Sequence, residues 1–225
     1  MNEVVLLNAE AGSSPSGTES FNYFSNFTVV VENLAFNKQV NIFGDDLETD
    51  RWAPFPCGFA KSLPGNIETW TAHVNESRID QFVVQYQVSG NTYWDNDFGH
   101  NYILDAQAAE GTDGVGTAVL NPEVLAVEFN LDAAGTLRVD VLVKNIAFAK
   151  QVGVVYTTNN WQTSQNAFGV FQRAFPPAAT PAQINAELWN VEAFVGSGQK
   201  GQFAVFYNVS EQTFWDNNFS LNYSF

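Results

Sequence analysis

The chain has 225 residues and carries 24 acidic against 9 basic side chains, a formal net charge of −15. This balance argues against a nucleic-acid partner, because such binders neutralise phosphates with lysine and arginine, and it disfavours an anionic membrane surface for the same reason. A single cysteine, Cys57, excludes an internal disulfide and a thiolate metal site. We therefore expect a neutral ligand and neither a metal nor a cofactor.

The first 20 residues contain "VVLL" but lack the basic start and the 7–15-residue apolar core of a secretion signal. No apolar run is long enough to span a bilayer. A cytoplasmic location is the default expectation, with secretion by another route as the alternative.

The first half of the chain predicts strands with one apolar face. Phe27, Val29 and Val31 alternate with other residues, and "QFVVQYQV" (81–88) repeats the pattern with two aromatic and two valine positions. Alternation with period two indicates antiparallel strands that cover a core on one side. "VSGNT" (88–92) predicts a hairpin turn, and "NTYWDNDFGHNY" (91–102) follows it.

The second half repeats the first. "VENLAFNKQV" (31–40) returns as "VKNIAFAKQV" (143–152), "QFVVQYQV" returns as "QFAVFYNV" (202–209), and the closing motif returns as "QTFWDNNFSLNY" (212–223). Trp52 and Trp70 have counterparts in Trp161 and Trp189. The repeat predicts an all-β chain of two tandem antiparallel β-sandwich domains, each of roughly seven or eight strands. We place the domains at 1–108 and 118–225, joined by a glycine-rich linker at 109–117.

The repeated Trp-Asp-Asn sequence is not explained by a buried strand. A flat indole beside amide side chains suits a sugar, because the C–H face of a pyranose packs on the ring while amides bond the hydroxyls. The structural alternative is a rim tryptophan covered by a loop, with asparagine serving a turn. Repetition fits both interpretations.

The quoted motifs resemble family 21 carbohydrate-binding modules, the starch- and glycogen-binding domains of glucoamylases and of glycogen-targeting subunits of protein phosphatase 1. The pattern is Asn-(Ile/Leu)-Ala-aromatic-x-Lys-x-Val, a tryptophan in mid-domain, and aromatic-Asp-Asn-x-x-x-x-Asn-Tyr, and it covers nearly all of both halves. The resemblance implies an immunoglobulin-like sandwich that binds α-1,4-glucan and catalyses nothing.

The resemblance also implies a first sugar site in each copy. Glucose would stack between the mid-domain tryptophan and the aromatic residue before Asp-Asn, and two asparagines would bond its hydroxyls. The implied residues are Trp52, Trp94, Asn96 and Asn101 in the first copy and Trp161, Trp215, Asn217 and Asn222 in the second. A further aromatic position of the family holds Val83 and Ala204 here, so one wall of the site is missing.

A second site is implied by the early motif. Its candidates are Asn33, Phe36 and Lys38 in the first copy and Asn145, Phe148 and Lys150 in the second. The partner aromatics that the family places before Trp70 and Trp189 read Ile67 and Ala186 here, and both phenylalanines also fit a core position. The two tryptophans themselves lie in alternating segments and are expected in the core. Phe168, Phe171 and Phe175 flank a longer loop in the second copy and are expected to anchor it, with the lining of a groove as the alternative.

Catalysis is not expected. Glycoside hydrolysis needs two facing carboxyl groups, and Asp95 and Asp216 have no repeated acidic partner. A pairing of Cys57 with His73 or His100 has no counterpart in the second copy. We expect both aspartates to bond backbone amides in their own turns.

Together these features predict a bivalent, non-catalytic protein that binds an oligo- or polysaccharide, most simply a starch- or glycogen-type glucan. One alternative is a lectin for galactose-type or other cell-surface glycans, acting in defence or agglutination. The other is a glycogen-targeting adaptor subunit, which is weakened because the only docking-like segment, "RVDV" (138–141), ends in valine and lies in a predicted strand.

Overall fold

The computed structural model of the chain describes residues 3–17, 20–46, 49–75, 79–104, 114–175 and 185–225. These form two compact units, one within residues 3–121 and the other comprising 122–175 with 185–225. Apart from a 3₁₀ turn at Asp97–Gly99, every regular element in these ranges is a strand, and all strand pairs are antiparallel. The predicted all-β sandwich class is confirmed.

The first unit is built from two five-stranded sheets. Its strands are β1 (Val4–Pro15), β2 (Phe21–Glu32), β3 (Lys38–Asp46), β4 (Arg51–Pro56), β5 (Gly58–Leu63), β6 (Ile67–Asn75), β7 (Ile79–Val88), β8 (Asn91–Asp95), β9 (Tyr102–Ile103) and β10 (Gly114–Leu120). One sheet has the order β10-β1-β2-β6-β5, and the other has the order β4-β3-β7-β8 with β9 beside β7.

The second unit repeats this topology with one strand shared between its sheets. Its strands are β11 (Val124–Leu131), β12 (Thr136–Lys144), β13 (Lys150–Thr157), β14 (Gln165–Ala174), β15 (Ala186–Phe194), β16 (Gln202–Val209), β17 (Gln212–Asp216) and β18 (Tyr223–Ser224). Residues 165–168 of β14 pair with β13, and residues 169–174 pair with β15. In the first unit the same path is divided at Cys57 into β4 and β5.

The predicted alternation places the expected side chains in the two cores. On β7 and β16 the buried residues are Phe82, Val84, Tyr86 and Val88, and Phe203, Val205, Tyr207 and Val209. On β2 and β12 they are Phe27, Val29 and Val31, and Val139, Val141 and Val143. The phenol hydroxyls of Tyr86 and Tyr207 donate to the carbonyls of Glu32 (2.8 Å) and Lys144 (2.7 Å), so each core ends in a satisfied polar group.

The division between the units lies beyond the expected linker. Strand β10, Gly114–Leu120, pairs with β1 and belongs to the first unit, so the division falls between Asn121 and Pro122 rather than before residue 118. The segment "GVGTAVL" was not predicted as a strand because its residues are small. It covers the edge of β1, which would otherwise present unpaired backbone groups. The rest of the expected linker, 109–113, lies outside the described residues.

Candidate functional site

Three aromatic rings form a strip on the outer face of the β4-β3-β7-β8 sheet in the first unit. The centroid of Phe43 lies 5.9 Å from that of Trp52 and 6.1 Å from that of Trp94. Trp52 and Trp94 are 39% and 46% exposed. The two predicted tryptophans are therefore on one surface, and a phenylalanine that the sequence did not single out lies between them.

Strand register explains this arrangement. Trp94 on β8 is paired with Gln85 on β7, which in turn is paired with Asn41 on β3, so all three side chains share the outer face. The Asn41 amide donates to the Gln85 amide oxygen over 3.0 Å. Phe43 lies two residues along β3 and is paired with Val83, the position where the family carries an aromatic ring. Phe43 thus supplies an apolar ring beside the position that lost one.

The second unit carries a different strip at the equivalent place. Trp215 is 55% exposed, and its ring centroid lies 6.0 Å from that of Phe206, which lies 6.0 Å from that of Phe168. Together with polar side chains from β13, β14, β16 and β17, these rings line a groove of about 330 Å³. Phe168 lies within β14 and faces outward, so its expected role as a loop anchor is wrong, as it is for Phe171, whereas Phe175 is buried.

Trp161 does not join this groove. It lies in the segment between β13 and β14, where its backbone N–H donates to Thr157 Oγ1 (3.1 Å) and its indole N–H donates to Gln202 Oε1 (2.7 Å). Within the described residues no ring contact connects it to Trp215. The structure thus brings Trp52 and Trp94 onto one strip but leaves Trp161 apart from Trp215, because Trp161 lies between strands whereas Trp52 lies within β4.

The motif asparagines shape the turns that follow the two outer tryptophans. Asn96 Oδ1 accepts from the N–H of Gly99 (3.1 Å), and Asn217 Oδ1 accepts from the N–H of Ser220 (2.9 Å). Their carbonyls accept from the N–H groups of Asn101 (2.9 Å) and Asn222 (2.8 Å). The side-chain NH₂ groups of Asn96 and Asn217 make no hydrogen bond within the described ranges, so they can still donate to a ligand.

Both turns hold several non-glycine residues in the left-handed region. In the first unit Asp97, Phe98 and Asn101 have φ values of 50°, 56° and 59°. In the second unit Asn218, Phe219, Ser220 and Asn222 have φ values between 50° and 71°. Such conformations cost about 1–2 kcal/mol for each residue. Retained strain of this kind is typical of functional loops.

The motif aspartates have a role outside their turns. Asp95 accepts from the backbone N–H of Leu6 over 2.7 Å and from the Tyr102 hydroxyl over 2.9 Å. Burial, followed by the charge of Asp95, raises the pKa of Tyr102 well above its usual range. The principal contact of Asp95 therefore lies outside its own turn, and the expectation that it bonds amides of that turn is wrong for this contact.

The lysines proposed for the second site are buried in ion pairs. Lys38 donates to Glu68 over 2.8 Å and also bonds the side chain of Asn33, while the Trp70 indole N–H donates to Glu68 over 3.0 Å. The Lys38 side chain is 3% exposed. An ammonium group so placed orders the loop that carries Phe36, and Lys38, Asn33 and Glu68 also line a groove beside that phenylalanine.

The second unit repeats this cluster residue for residue. Lys150 donates to Glu187 over 2.8 Å and to Asn145 over 2.6 Å, and the Trp189 indole N–H donates to Glu187 over 3.0 Å. Phe148, like Phe36, is almost fully exposed, so the alternative that these phenylalanines are core residues is wrong.

A second aromatic surface stands beside each buried cluster. Phe59 and Trp70 meet edge to face at 5.9 Å, and with the exposed Phe36 they line a groove of about 600 Å³. In the second unit Phe171 and Trp189 meet in the same way at 5.8 Å. Phe59 was missed because its strand is exposed and lacks clear alternation. Both tryptophans also pack against the cores, as expected.

Other chemistry finds little support in the described part of the chain. No group of three or more His, Cys, Asp or Glu side chains there is placed to hold a metal ion. Burial raises the pKa of the Cys57 thiol to about 12, so it stays protonated. Among the described residues no helix has the length and apolarity to cross a membrane.

Exposed aromatic rings among amide side chains on a β-sandwich define the class of carbohydrate-binding modules. Residues 122–225 match the model of the carbohydrate/starch-binding module, family 21. The matched region is just under half of the chain and coincides with the second unit.

Two curated relatives are similar to part of the chain. Over 107 residues the chain is 32% identical to glucoamylase 1 of Rhizopus oryzae, covering 43% of this chain and 18% of the glucoamylase. Over 121 residues it is 31% identical to human protein phosphatase 1 regulatory subunit 3B, covering 46% of this chain and 39% of the subunit. The chain thus spans well under half the length of these relatives.

Solved structures of such modules are also similar. The starch-binding domain of the Rhizopus oryzae glucoamylase, solved with β-cyclodextrin and maltoheptaose, is 26% identical, with 47% of this chain and 94% of that chain covered and a TM-score of 0.36. The carbohydrate-binding module of the muscle glycogen-targeting subunit of protein phosphatase 1 is 21% identical, with coverages of 46% and 74% and a TM-score of 0.35. TM-scores this low add nothing to the fold assignment, which stands on the strand pairing.

Proposed function

We propose that both units are carbohydrate-binding modules and that the chain is a bivalent, non-catalytic binder of α-1,4-glucan. The observation that carries this proposal is the exposed tryptophan, Trp94 or Trp215, that stands beside further aromatic rings at the same strand position in both units. Solvent-exposed indoles lose apolar hydration when a pyranose covers them, and that loss favours binding.

The first unit is included because the contacts inside it match the contacts inside the second unit. The two have the same order of strands, and the Lys-Glu-Trp-Asn cluster of Lys38 recurs around Lys150 with ion-pair distances of 2.8 Å in both. A buried ion pair needs several residues in place at once, so its recurrence supports common descent of the units as well as a common fold.

In the primary site of the first unit, sugar rings stack along Trp94, Phe43 and Trp52 while the Asn96 NH₂ group donates to hydroxyls. Asn101 contributes by fixing the turn through its backbone. In the second unit the sugar enters the groove beside Trp215, and Asn217 and Asn222 take the corresponding roles. Trp161, whose indole is held by Gln202, contributes only to a longer glucan that extends past the groove.

The secondary sites lie at the exposed phenylalanines of the early motif. Phe36 faces a groove with Phe59 and Trp70, and Phe148 stands on the equivalent loop of the second unit. Asn33, Lys38, Asn145 and Lys150 support these loops through the buried ion pairs. In the first unit Asn33 and Lys38 also line the groove, so their polar groups border the stacked sugar.

Bivalency makes weak sites useful. An aromatic contact contributes about 0.5–1.5 kcal/mol beyond its buried area. Two sites on one chain can raise the apparent affinity for a polymer by roughly 10²–10⁴ when both reach the same glucan.

Retention on insoluble starch tests the proposal. The double variant Trp94→Ala/Trp215→Ala should lose most retention yet keep its unfolding temperature, because both indoles are about half exposed. The matched control is Phe194→Ala, which removes an exposed ring outside all four proposed sites and should bind as the parent does. Equal retention of the double variant and the parent would contradict the assignment of Trp94 and Trp215 as binding residues. Parallel columns of other polysaccharides test the lectin alternative.

A glycogen-targeting adaptor is the remaining alternative, suggested by the similarity to a phosphatase regulatory subunit. Within the chain its only docking-like segment is "RVDV", which lies in β12 with Val139 and Val141 fully buried. A buried strand is not accessible to a partner, so the binding-only function is favoured.

A further inference from the structure

The two primary sites begin at equivalent tryptophans but extend in different directions over their sheets. In the first unit the aromatic strip leaves the cross-strand row of Trp94 and continues through Phe43 to Trp52, towards the end of the sheet. In the second unit it stays in the row of Trp215 and crosses the strands through Phe206 to Phe168.

Gly153 is the reason that the second strip can cross the sheet. It lies between Phe168 and Phe206 in the row, and a Cβ atom at this position would fall 2.5 Å from Cζ of Phe206. The Phe206 ring therefore occupies the space that any other residue on β13 would fill. With only 5% of its surface exposed, Phe206 forms the floor of the groove.

The neighbouring rings form the walls of that groove. The planes of Phe168 and Trp215 are inclined to that of Phe206 by 81° and 60°. The groove volume of about 330 Å³ lies at the lower end of the range of about 300–1,000 Å³ for small-molecule sites. A site of this size and shape holds a short stretch of sugar between two upright rings.

In the first unit the hydrogen-bonded amides of Asn41 and Gln85 occupy the row of Trp94, at the positions that Gly153 and Phe206 hold in the second unit. Its middle ring comes from Phe43 instead, and the planes of Phe43 and Trp52 differ by only 37°. Phe43 and Trp52 meet at this shallow angle and form an open platform that ends at the edge strand β4, whereas the plane of Trp94 is inclined to that of Phe43 by 76° and bounds the platform on its other side. Such a platform favours a ligand long enough to cover it.

We propose that the two primary sites prefer different lengths of glucan and that one cross-strand pair sets this difference. The pair Gly153–Phe206 makes the second unit a site for short glucan segments, and the pair Asn41–Gln85, together with Phe43, makes the first unit a site for longer ones. This inference rests on the proposed function and assigns to each unit a specificity which that function leaves open.

The test uses the full chain with Phe36→Ala and Phe148→Ala to silence the secondary sites. Adding Trp215→Ala leaves the first-unit site, and adding Trp94→Ala leaves the second-unit site. Each protein is titrated calorimetrically with maltose, maltotriose and maltoheptaose. We expect the ratio of maltoheptaose to maltotriose affinity to be roughly 2–10-fold larger for the first-unit site, the worth of about one additional stacked ring.

Two variants of the first-unit protein identify the determinant. Asn41→Gly/Gln85→Phe transplants the second-unit pair and should lower the ratio towards that of the second unit. Phe43→Ala interrupts the platform and should lower the ratio through maltoheptaose alone, with maltose affinity unchanged. All these side chains lie on the outer face, and circular dichroism verifies that each variant folds.

Equal ratios in the two single-site proteins overturn the length preference while the proposed function stands. A ratio unmoved by both first-unit variants overturns the assigned residues. Absence of maltoheptaose binding to the parent chain is a different result, because it removes the proposed function itself.

Discussion

The carboxylate of Asp95 accepts a hydrogen bond from the backbone N–H of Leu6 over 2.7 Å, although 89 residues separate them in the chain. Leu6 stands at a register shift of β1, where a bulge leaves ladder groups unpaired. Asp216 makes the same 2.7 Å bond to Ala126 at the register shift of β11. The Asp and final Tyr of the repeated motif thus fasten the end of each unit to its first strand, and the Trp before this Asp and the Asn after it are free to face a ligand.

Replacing this aspartate should destabilise its unit. Asp95→Ala leaves the Leu6 N–H and the Tyr102 hydroxyl without their acceptor, and hydrogen bonds to charged groups contribute about 1.5–3 kcal/mol. Urea unfolding should show a loss of that size. Glu192→Ala, which removes an exposed partner of Arg138, is the matched control and should cost less than about 1 kcal/mol. A similar loss in both variants would contradict the fastening role.

The buried ion pair of the first unit should respond differently to single and double substitution. Lys38→Met leaves Glu68 as an unpaired buried charge, for which a loss of about 3–5 kcal/mol is expected. Lys38→Met/Glu68→Leu removes both charges and should be less destabilised than the single variant. The free energy of unfolding measured for both variants tests this expectation. A double variant that loses more stability than the single variant would show that the charges do not interact.

Alkaline pH should weaken the fold from about pH 10 upward, the ordinary pKa of tyrosine. Burial, followed by the neighbouring aspartate, raises the pKa of Tyr102 and Tyr223 in the folded protein. A raised folded pKa means that the contribution to stability is complete below the unfolded pKa and is lost as the pH rises towards the folded value. Unfolding free energies measured between pH 7 and pH 11 should therefore fall only at the alkaline end.

Removing the two hydroxyls should flatten this dependence. Tyr102→Phe/Tyr223→Phe starts from a lower stability near neutrality and should lose less above pH 10. Tyr93→Phe is the control, since the Tyr93 hydroxyl has no hydrogen-bond partner among the described residues. An unchanged slope in the double variant would assign the alkaline loss to other groups.

The secondary sites predict a loss of binding without loss of stability. Phe36→Ala/Phe148→Ala removes two almost fully exposed rings, so the unfolding temperature should stay within the error of measurement. Retention on starch should fall relative to the Phe194→Ala control. Unchanged retention would restrict binding to the primary sites.

Glycine at position 153 should be required for the groove of the second unit. Gly153→Ala places a methyl group against Phe206 and should cost about 1–3 kcal/mol as overpacking. Gly58→Ala is the matched strand control, because its nearest neighbour would be 3.9 Å away. Thermal unfolding of both variants checks the prediction, which requires that only the first be destabilised.

The sequence predicted the features that depend on local pattern. Alternation on β7 and β16 predicted the buried faces, and the position of Trp94 and Trp215 after a hairpin predicted their exposure. The predicted pairing of Trp161 with Trp215 was not found, because Trp161 lies between β13 and β14, and residue identity alone does not reveal how a loop returns.

Other features depend on cross-strand register, which cannot be predicted from the local sequence pattern. Phe43 and Phe206 became site residues only when pairing showed which side chains share the outer face with the tryptophans. The burial of Lys38 likewise follows from Glu68, thirty residues away, whose role as its partner had no local signal. Matching aromatic and acidic positions between the two halves would have been the nearest available clue.

Strand β14 gives the two units different mechanics. Its hydrogen bonds join both sheets of the second unit, so loosening one sheet must disturb the other, and amide protons in both should exchange with solvent together. In the first unit the path breaks at Cys57, and Pro54 and Pro56 on β4 have no N–H to give. We therefore expect the amide protons of β4, which bears Trp52, to exchange independently of the other sheet of the first unit, whereas those of β14 exchange with both sheets of the second.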